Sequence, residues 1–171
     1  MVKERKGYED AVEKTVRFLK RTMRGDHWVD KWHISPYYTT GHAIAALIDV
    51  EEGCVERAID WMLNTQHESG AWGYNGGTVE ETAYALQALL TYHRHVERID
   101  PIPILRGMYA LDALMLTDHL EELWVAKGLY CPINVVRSAA LTVLYHKRSI
   151  EREGGMHEHI SVLDHGEVSV W

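Results

Sequence analysis

The sequence is poor in several features that usually announce a location or a function. Its two cysteines, Cys54 and Cys131, are too few for a disulfide framework or a four-cysteine zinc site, and each reads as a small buried hydrophobe. Four prolines in 171 residues leave long stretches free to be helical. No apolar run approaches the roughly 20 residues of a membrane-spanning helix; the longest is Ala43 to Ile48. The start, Met1-Val-Lys-Glu-Arg-Lys, carries charge where a secretory signal carries an apolar core, so the cytoplasm is the expected location. Basic residues are outnumbered, 18 Lys and Arg against 25 Asp and Glu, and no nucleic-acid partner is expected. With 46% hydrophobic and 25% charged residues the chain has the composition of one ordinary globular domain, which excludes disordered and fibrous classes.

What is present is helical periodicity. From Glu9 to Arg24 the residues Val12, Val16, Leu19 and Met23 share one face, with Glu13, Lys14, Arg17, Lys20 and Arg21 opposite: an amphipathic helix. Thr40 to Val50 differs, because Ala43, Ile44, Ala45, Ala46, Leu47 and Ile48 leave no polar face. The alternation then recurs. Val55 to Leu63 is amphipathic, and Thr78 to Tyr92 is nearly apolar all round. A third pair runs from Ile104 to Leu120 and from Pro132 to His146, the latter wrapped by Val135, Val136, Ala139, Ala140, Leu141, Val143 and Leu144. Each pair encloses a tryptophan-bearing loop, at Trp28, Trp72 and Trp124. Amphipathic helices outside and apolar helices inside make a curved αα layer, so three hairpins of an (α/α) toroid are expected.

The punctuation agrees. Thr78-Val-Glu-Glu81 has the form of a capping box, and Pro36 and Pro132 suit first helical turns. Gly70, Gly73, Gly76 and Gly77 crowd one loop, where backbone must approach an aromatic ring. Residues 149–171 break the helical pattern and are expected to form a short irregular or hairpin-like tail after a domain spanning 1–148. His157, His159 and His165 in that tail have weak metal-ligand spacing and read as solvated.

Four stretches resemble the class II terpenoid cyclase superfamily, the squalene–hopene and bacterial diterpene cyclases. Gln66-His-Glu-Ser-Gly70-Ala-Trp72-Gly73 matches the Gln-x-x-x-Gly-x-Trp (QW) repeat of those barrels. Thr78-Val-Glu-Glu-Thr-Ala-Tyr-Ala-Leu-Gln-Ala-Leu89 is similar to the inner helix that follows a QW loop. Asp30-Lys-Trp-His-Ile-Ser-Pro-Tyr-Tyr-Thr-Thr40 and Leu123-Trp-Val-Ala-Lys-Gly-Leu-Tyr-Cys-Pro132 resemble the last third of bacterial class II diterpene cyclases such as copalyl diphosphate synthases. The resemblance covers about residues 9–148 and implies about half of an α6-α6 barrel. Gln66, Gly70 and Trp72 then have a structural role, the glutamine amide bridging outer-helix ends under the indole. Neither Trp28 nor Trp124 has a glutamine six residues before it, a departure from the repeat.

The resemblance also implies a chemistry: protonation of a terminal alkene of geranylgeranyl diphosphate or squalene, then passage of carbocations through an aromatic-lined cavity. Alkene protonation demands a strong carboxylic acid. The family's Asp-x-Asp-Asp acid motif does not occur in this sequence; in those enzymes it lies upstream of the segment resembling residues 27–40. Glu80 and Glu81 stand at a helix start, where capping and the helix dipole account for them. Cavity candidates are Trp32, Tyr37, Tyr38, Tyr84, Trp124 and Tyr130, rings at or near inner-helix starts that suit cations. His33 and Tyr130 are the candidates for a direct catalytic part, and Lys127 for the diphosphate. No resident metal or cofactor is expected, Mg²⁺ entering only with a diphosphate substrate. Half a ring leaves apolar inner helices facing nothing. The expected partners are therefore an isoprenoid diphosphate and either a complementary chain bearing Asp-x-Asp-Asp or a second copy. A non-catalytic helical scaffold that kept the fold is the alternative.

Overall fold

A computed structural model describes residues 7–96, 99–117 and 119–152. Six helices follow one another: α1 (Glu9–Thr22), α2 (Pro36–Leu47), α3 (Glu52–Asn64), α4 (Val79–Val96), α5 (Pro101–Met115) and α6 (Ile133–Arg152). Two short strands, β1 (Trp124–Val125) and β2 (Leu129–Tyr130), pair as an antiparallel hairpin between α5 and α6. The first four residues of the expected tail, 149–152, continue helix α6 instead, and the rest of it, with His157, His159 and His165, lies outside the described residues.

Side-chain chemistry sets the helix starts. Ser35 caps α2 by accepting the Tyr37 N–H, with Pro36 supplying a fixed φ at the first position. Asp100 does the same for α5, taking the Ile102 N–H ahead of Pro101, so that helix begins and ends earlier than Ile104 to Leu120. Thr78 caps α4 through the Glu81 N–H at 3.1 Å. Only half of the capping box forms. The Thr78 N–H is already given to the Trp72 carbonyl, and Glu81 takes the threonine hydroxyl instead.

The inner row is α2, α4 and α6, with α3 and α5 packed behind it. α4 sits in the middle, Ala83, Ala85, Leu86 and Leu89 being wholly buried while Gln87 faces the concave side. The two ends of the row are open. Ala45 and Ala46 of α2 are exposed, and on α6 Val135 and Leu141 are 46% and 58% exposed. α6 is therefore not enclosed all round, as its composition suggests, because only α4 has an inner neighbour on both flanks. The molecule is an arc of αα hairpins, all-α, with apolar surface at both open edges. Outer helix α1 has no buried residue and is attached by Val16, Leu19 and Met23 and by a Lys20–Glu51 ion pair. No helix among the described residues is long and apolar enough to cross a membrane.

The loops reveal a repeat finer than the helices. The Trp72 indole N–H donates to the Met62 carbonyl near the end of α3 at 2.7 Å. Its backbone N–H and carbonyl are both bonded by the Thr82 hydroxyl, at 3.0 and 3.2 Å. Trp28 does the same one hairpin earlier, indole to the Leu19 carbonyl of α1 at 2.8 Å and backbone to the Thr40 hydroxyl at 2.9 and 3.1 Å. The clamp thus needs a tryptophan and an inner-helix threonine, and it forms at Trp28 without a preceding glutamine. Gln66 has a separate duty. Its amide donates to Gly70 and Pro103 carbonyls, both at 2.8 Å, tying the loop to the starting end of outer helix α5. Arg106 pins the same loop through the His67 and Glu68 carbonyls. Removing either hydroxyl, T40V or T82V, orphans a buried N–H and should cost about 1–3 kcal/mol, with T40S and T82S nearly silent. Urea denaturation measures this, and a T40V cost near zero would end the equivalence of the two clamps.

Candidate functional site

The site assembles where the first and third tryptophan loops meet over the N-terminus of α4. Val125 N–H donates to the Trp32 carbonyl at 2.8 Å and Ile34 N–H to the Leu123 carbonyl at 3.0 Å. His33 and Trp124 form an antiparallel bridge, so the β1–β2 hairpin gains a third segment from ninety residues earlier in the chain. That small sheet brings together two of the motifs that carried the resemblance.

Four rings gather beneath it. His33 stacks on Tyr38 at 3.9 Å and meets Trp124 edge-on at 4.0 Å. Tyr38 makes edge contacts with Trp124 at 5.2 Å and with Tyr84 at 5.0 Å. Tyr130 stands at the rim, 6.2 Å from Trp124 and 41% exposed. His42, one turn after Tyr38, closes the inner side at 4.3 Å from it. From there an open groove of about 470 Å³ runs down the concave face, lined by His42, Tyr84, Gln87, Asn134, Ser138 and Thr142 among others.

Two of the expected cavity rings lie elsewhere. Tyr37 is 6% exposed and packs on Trp61 of the outer helix α3 at 4.9 Å. Neighbouring positions on a helix point about 100° apart, so Tyr37 and Tyr38 cannot share a face. Trp32 is 55% exposed under the Lys31 ammonium, outside the cluster. Lys127 is exposed at the hairpin turn.

The polar groups are more telling than the rings. Asp30 accepts from the Trp32 and His33 N–H groups and from the Thr39 hydroxyl, and it holds His33 Nδ1 at 3.1 Å. Burial pushes the Asp30 carboxyl upward, but these hydrogen bonds outweigh it and keep it below the usual aspartate range. His33 is pushed below the usual histidine range by burial, against the pull of Asp30. Its Nε2 is buried without a hydrogen-bond partner among the described residues.

Glu80 and Glu81, adjacent in sequence, have opposite surroundings. Glu81, 2% exposed, accepts from three donors: the Ser35 hydroxyl at 2.6 Å, the Thr78 hydroxyl at 2.9 Å and the Tyr74 N–H at 2.9 Å. Glu80, 4% exposed, has a single donor, the Trp124 indole N–H at 2.7 Å on Oε1. Its Oε2 is buried with no partner among the described residues. Burial raises the Glu80 carboxyl to about 7, against the Trp124 hydrogen bond and with a further push from Glu81. Tyr84 is pushed up by burial, then by Glu80 and Tyr38. The helix dipole alone does not account for Glu80: it is buried inside the aromatic cluster, not on a wet first turn. Spacing shows only which side chains share a face, Glu80 with Tyr84 and Tyr38 with His42, each pair one turn apart.

Among the described residues no group of three or more His, Cys, Asp or Glu side chains could hold a metal ion. A Mg²⁺ ion asks for several oxygen ligands or phosphates, and among the described residues the carboxyls of the cluster offer a single unpartnered oxygen, Glu80 Oε2. Nothing in the cluster fits a resident metal.

An arc of αα hairpins whose inner-helix starts collect aromatic rings places the molecule among the (α/α) toroid proteins. More narrowly, the chain belongs to the squalene–hopene cyclase C-terminal domain family, whose model matches residues 2–94. It is 39% identical over 141 residues to the type B diterpene cyclase of Mycobacterium tuberculosis, covering 78% of this chain and 27% of that protein. To the ent-copalyl diphosphate synthase of Streptomyces sp. KO-3988 it is 37% identical over 148 residues, covering 80% and 28%. The solved ent-copalyl diphosphate synthase from Streptomyces platensis superposes with a TM-score of 0.68 at 35% identity, covering 80% of this chain and 28% of that one. The chain thus spans little more than a quarter of the length of these relatives.

Proposed function

We propose that this chain supplies an aromatic wall for the protonation-initiated cyclisation of an isoprenoid diphosphate such as geranylgeranyl diphosphate. The observation that carries the reading is the cluster of Tyr38, Tyr84 and Trp124 at the inner-helix starts, stacked with His33. Ring faces in a dry site stabilise positive charge by up to about 2 kcal/mol each. Water, which would quench a cation early, is held off by the β1–β2 hairpin over the cluster. The names of the relatives, diterpene cyclase and copalyl diphosphate synthase, support the same class of substrate.

The initiating proton comes from elsewhere in this reading. Alkene protonation calls for a strong acid, and the buried carboxyl of the cluster, Glu80, is a weakened one. An Asp-x-Asp-Asp segment on another chain or on an N-terminal region is the proposed donor. The exposed Val135 and Leu141 of α6 and the exposed alanines of α2 are where such a complement would continue the ring. His33 and Tyr130 remain candidates for shaping the reaction, and Lys127 for meeting the diphosphate.

The test is reconstitution. Given geranylgeranyl diphosphate, the chain alone should form no cyclised product, and adding a chain that carries Asp-x-Asp-Asp and the missing helices should restore it. Failure of every such complement to restore product would sink the reading, as would cyclisation by the chain alone.

A further inference from the structure

Two polar atoms in the described part of the cluster have no hydrogen-bond partner, Glu80 Oε2 and His33 Nε2, and both belong to side chains in contact with Trp124. A buried carboxyl usually gathers donors for both oxygens, as Glu81 does next door with three. Glu80 is instead anchored by one oxygen and buried without a donor at the other, beside rings suited to positive charge.

We infer that Glu80 is the proton acceptor of this site: its free Oε2 takes a proton from a cationic hydrocarbon held against the Tyr38, Tyr84 and Trp124 rings. This rests on the carbocation reading and names a residue for its last step. A C–H bond next to the cationic carbon breaks, its electron pair becomes the new C=C bond, and the proton goes to Oε2. No oxidant or added reactant is needed. Direction decides between the two possible carboxyl roles: a carboxyl pushed up to about 7 is a poor donor to an alkene and a better acceptor than an ordinary glutamate. The fixed indole donor on Oε1 stabilises the ionised form that waits for the proton. Of the titratable groups around it, Glu81 is saturated by donors, burial pushes Tyr84 and Cys131 up and His33 down, and His42 faces Tyr38 and Tyr84 from α2, where the comparison with E80Q separates its charge from that of Glu80. Glu80, raised to about 7 by burial, is the carboxyl of the cluster that changes charge near neutrality.

An aliphatic amine mimics the cation and its acidic hydrogen. The full chain would be titrated calorimetrically with N,N-dimethylgeranylgeranylamine, an ammonium ion at neutral pH, and with uncharged geranylgeraniol. The wild type should prefer the ammonium by about tenfold at pH 8, and the preference should fade as pH drops through about 7, where Glu80 takes up its own proton. E80Q, whose amide oxygen still accepts the Trp124 N–H and so keeps the hairpin, should bind both probes equally at every pH. W124F removes the hydrogen bond that holds the carboxyl down and should move the midpoint upward. In the reconstituted pair, E80Q should lower kcat by about a hundredfold or more.

The outcomes separate. If the wild type binds neither probe, the apolar site of the cyclase reading fails and this inference falls with it. If both probes bind without an ammonium preference, or if E80Q keeps that preference or keeps full turnover, the inference alone is overturned.

Discussion

Replacing Trp72 by alanine should cost about 5 kcal/mol and bring the chain close to unfolding at room temperature. Truncating a buried tryptophan alone removes about 3–5 kcal/mol, against a total stability of about 5–15 kcal/mol for a domain. Here the ring is wholly buried and touches three helices. Its N–H satisfies the Met62 carbonyl of α3, its backbone is clamped by Thr82 of α4, and its six-membered ring lies on Gly107 of α5. A Cβ at Gly107 would sit 2.5 Å from Trp72 Cζ3, so the outer helix has been cut to glycine to admit the indole. The alanine variant keeps the backbone clamp but loses the indole hydrogen bond and the packing on Gly107 at once, and it leaves a cavity between layers. W72F keeps much of the volume and loses the N–H, so it should cost about half as much. Urea denaturation of W72A, W72F and wild type checks the order; a W72A loss under about 2 kcal/mol would mean the loop is not a keystone.

Helix periodicity, the QW spacing and the alternation of wet and dry helices were enough to read the arc of hairpins. Those signals are local: a turn or a cap reports its own neighbourhood. The tryptophan clamps were half legible, because Trp28 and Trp72 are conspicuous while their partners Thr40 and Thr82 sit ten or more residues on. That half a ring leaves apolar inner helices exposed was legible, but not that α6 bears that exposure through Val135 and Leu141. Val135 and Leu141 have the composition of a buried helix, and only the absence of an inner neighbour beyond α6 among the described residues leaves them in water.

The candidate site divides in the same way. Tyr38, Tyr84 and Trp124 could be named from their motifs, and helical geometry alone would have removed Tyr37, which turns to Trp61. Glu80 was the larger miss. Its environment is made by Trp124, forty-four residues away, and by a hairpin docked on the first loop, so no local rule about helix N-termini could reveal it. The adjacent Glu81 satisfied the capping pattern and drew attention from its neighbour. In physical terms, charge at a helix start is cheap in water; what made Glu80 unusual was tertiary burial.

Glu81 in turn is the residue whose loss should most disturb the site without touching its rings. E81A should destabilise the chain by about 3–5 kcal/mol, because it strands three donors at once, the buried hydroxyls of Ser35 and Thr78 and the half-buried N–H of Tyr74. Those donors come from three segments, and the carboxylate is what holds the first loop, the Gly-rich loop and α4 in register. Gly73 shows how close the arrangement is: its φ is +111°, and a Cβ there would lie 1.8 Å from Glu81 Oε2. E81Q separates charge from hydrogen bonding. Its carbonyl oxygen can face the Tyr74 N–H, which cannot turn round, while its NH₂ faces the Ser35 hydroxyl, which can turn to accept. E81Q should therefore cost only about 1–2 kcal/mol. Because α4 carries Glu80 and Tyr84, E81A should also loosen the Trp124 indole from Glu80, visible as loss of its shifted N–H resonance in heteronuclear NMR, while E81Q should retain it. Equal costs for E81A and E81Q, or an unchanged indole signal in a folded E81A protein, would show that the three donors find other partners and that the register of α4 is set elsewhere.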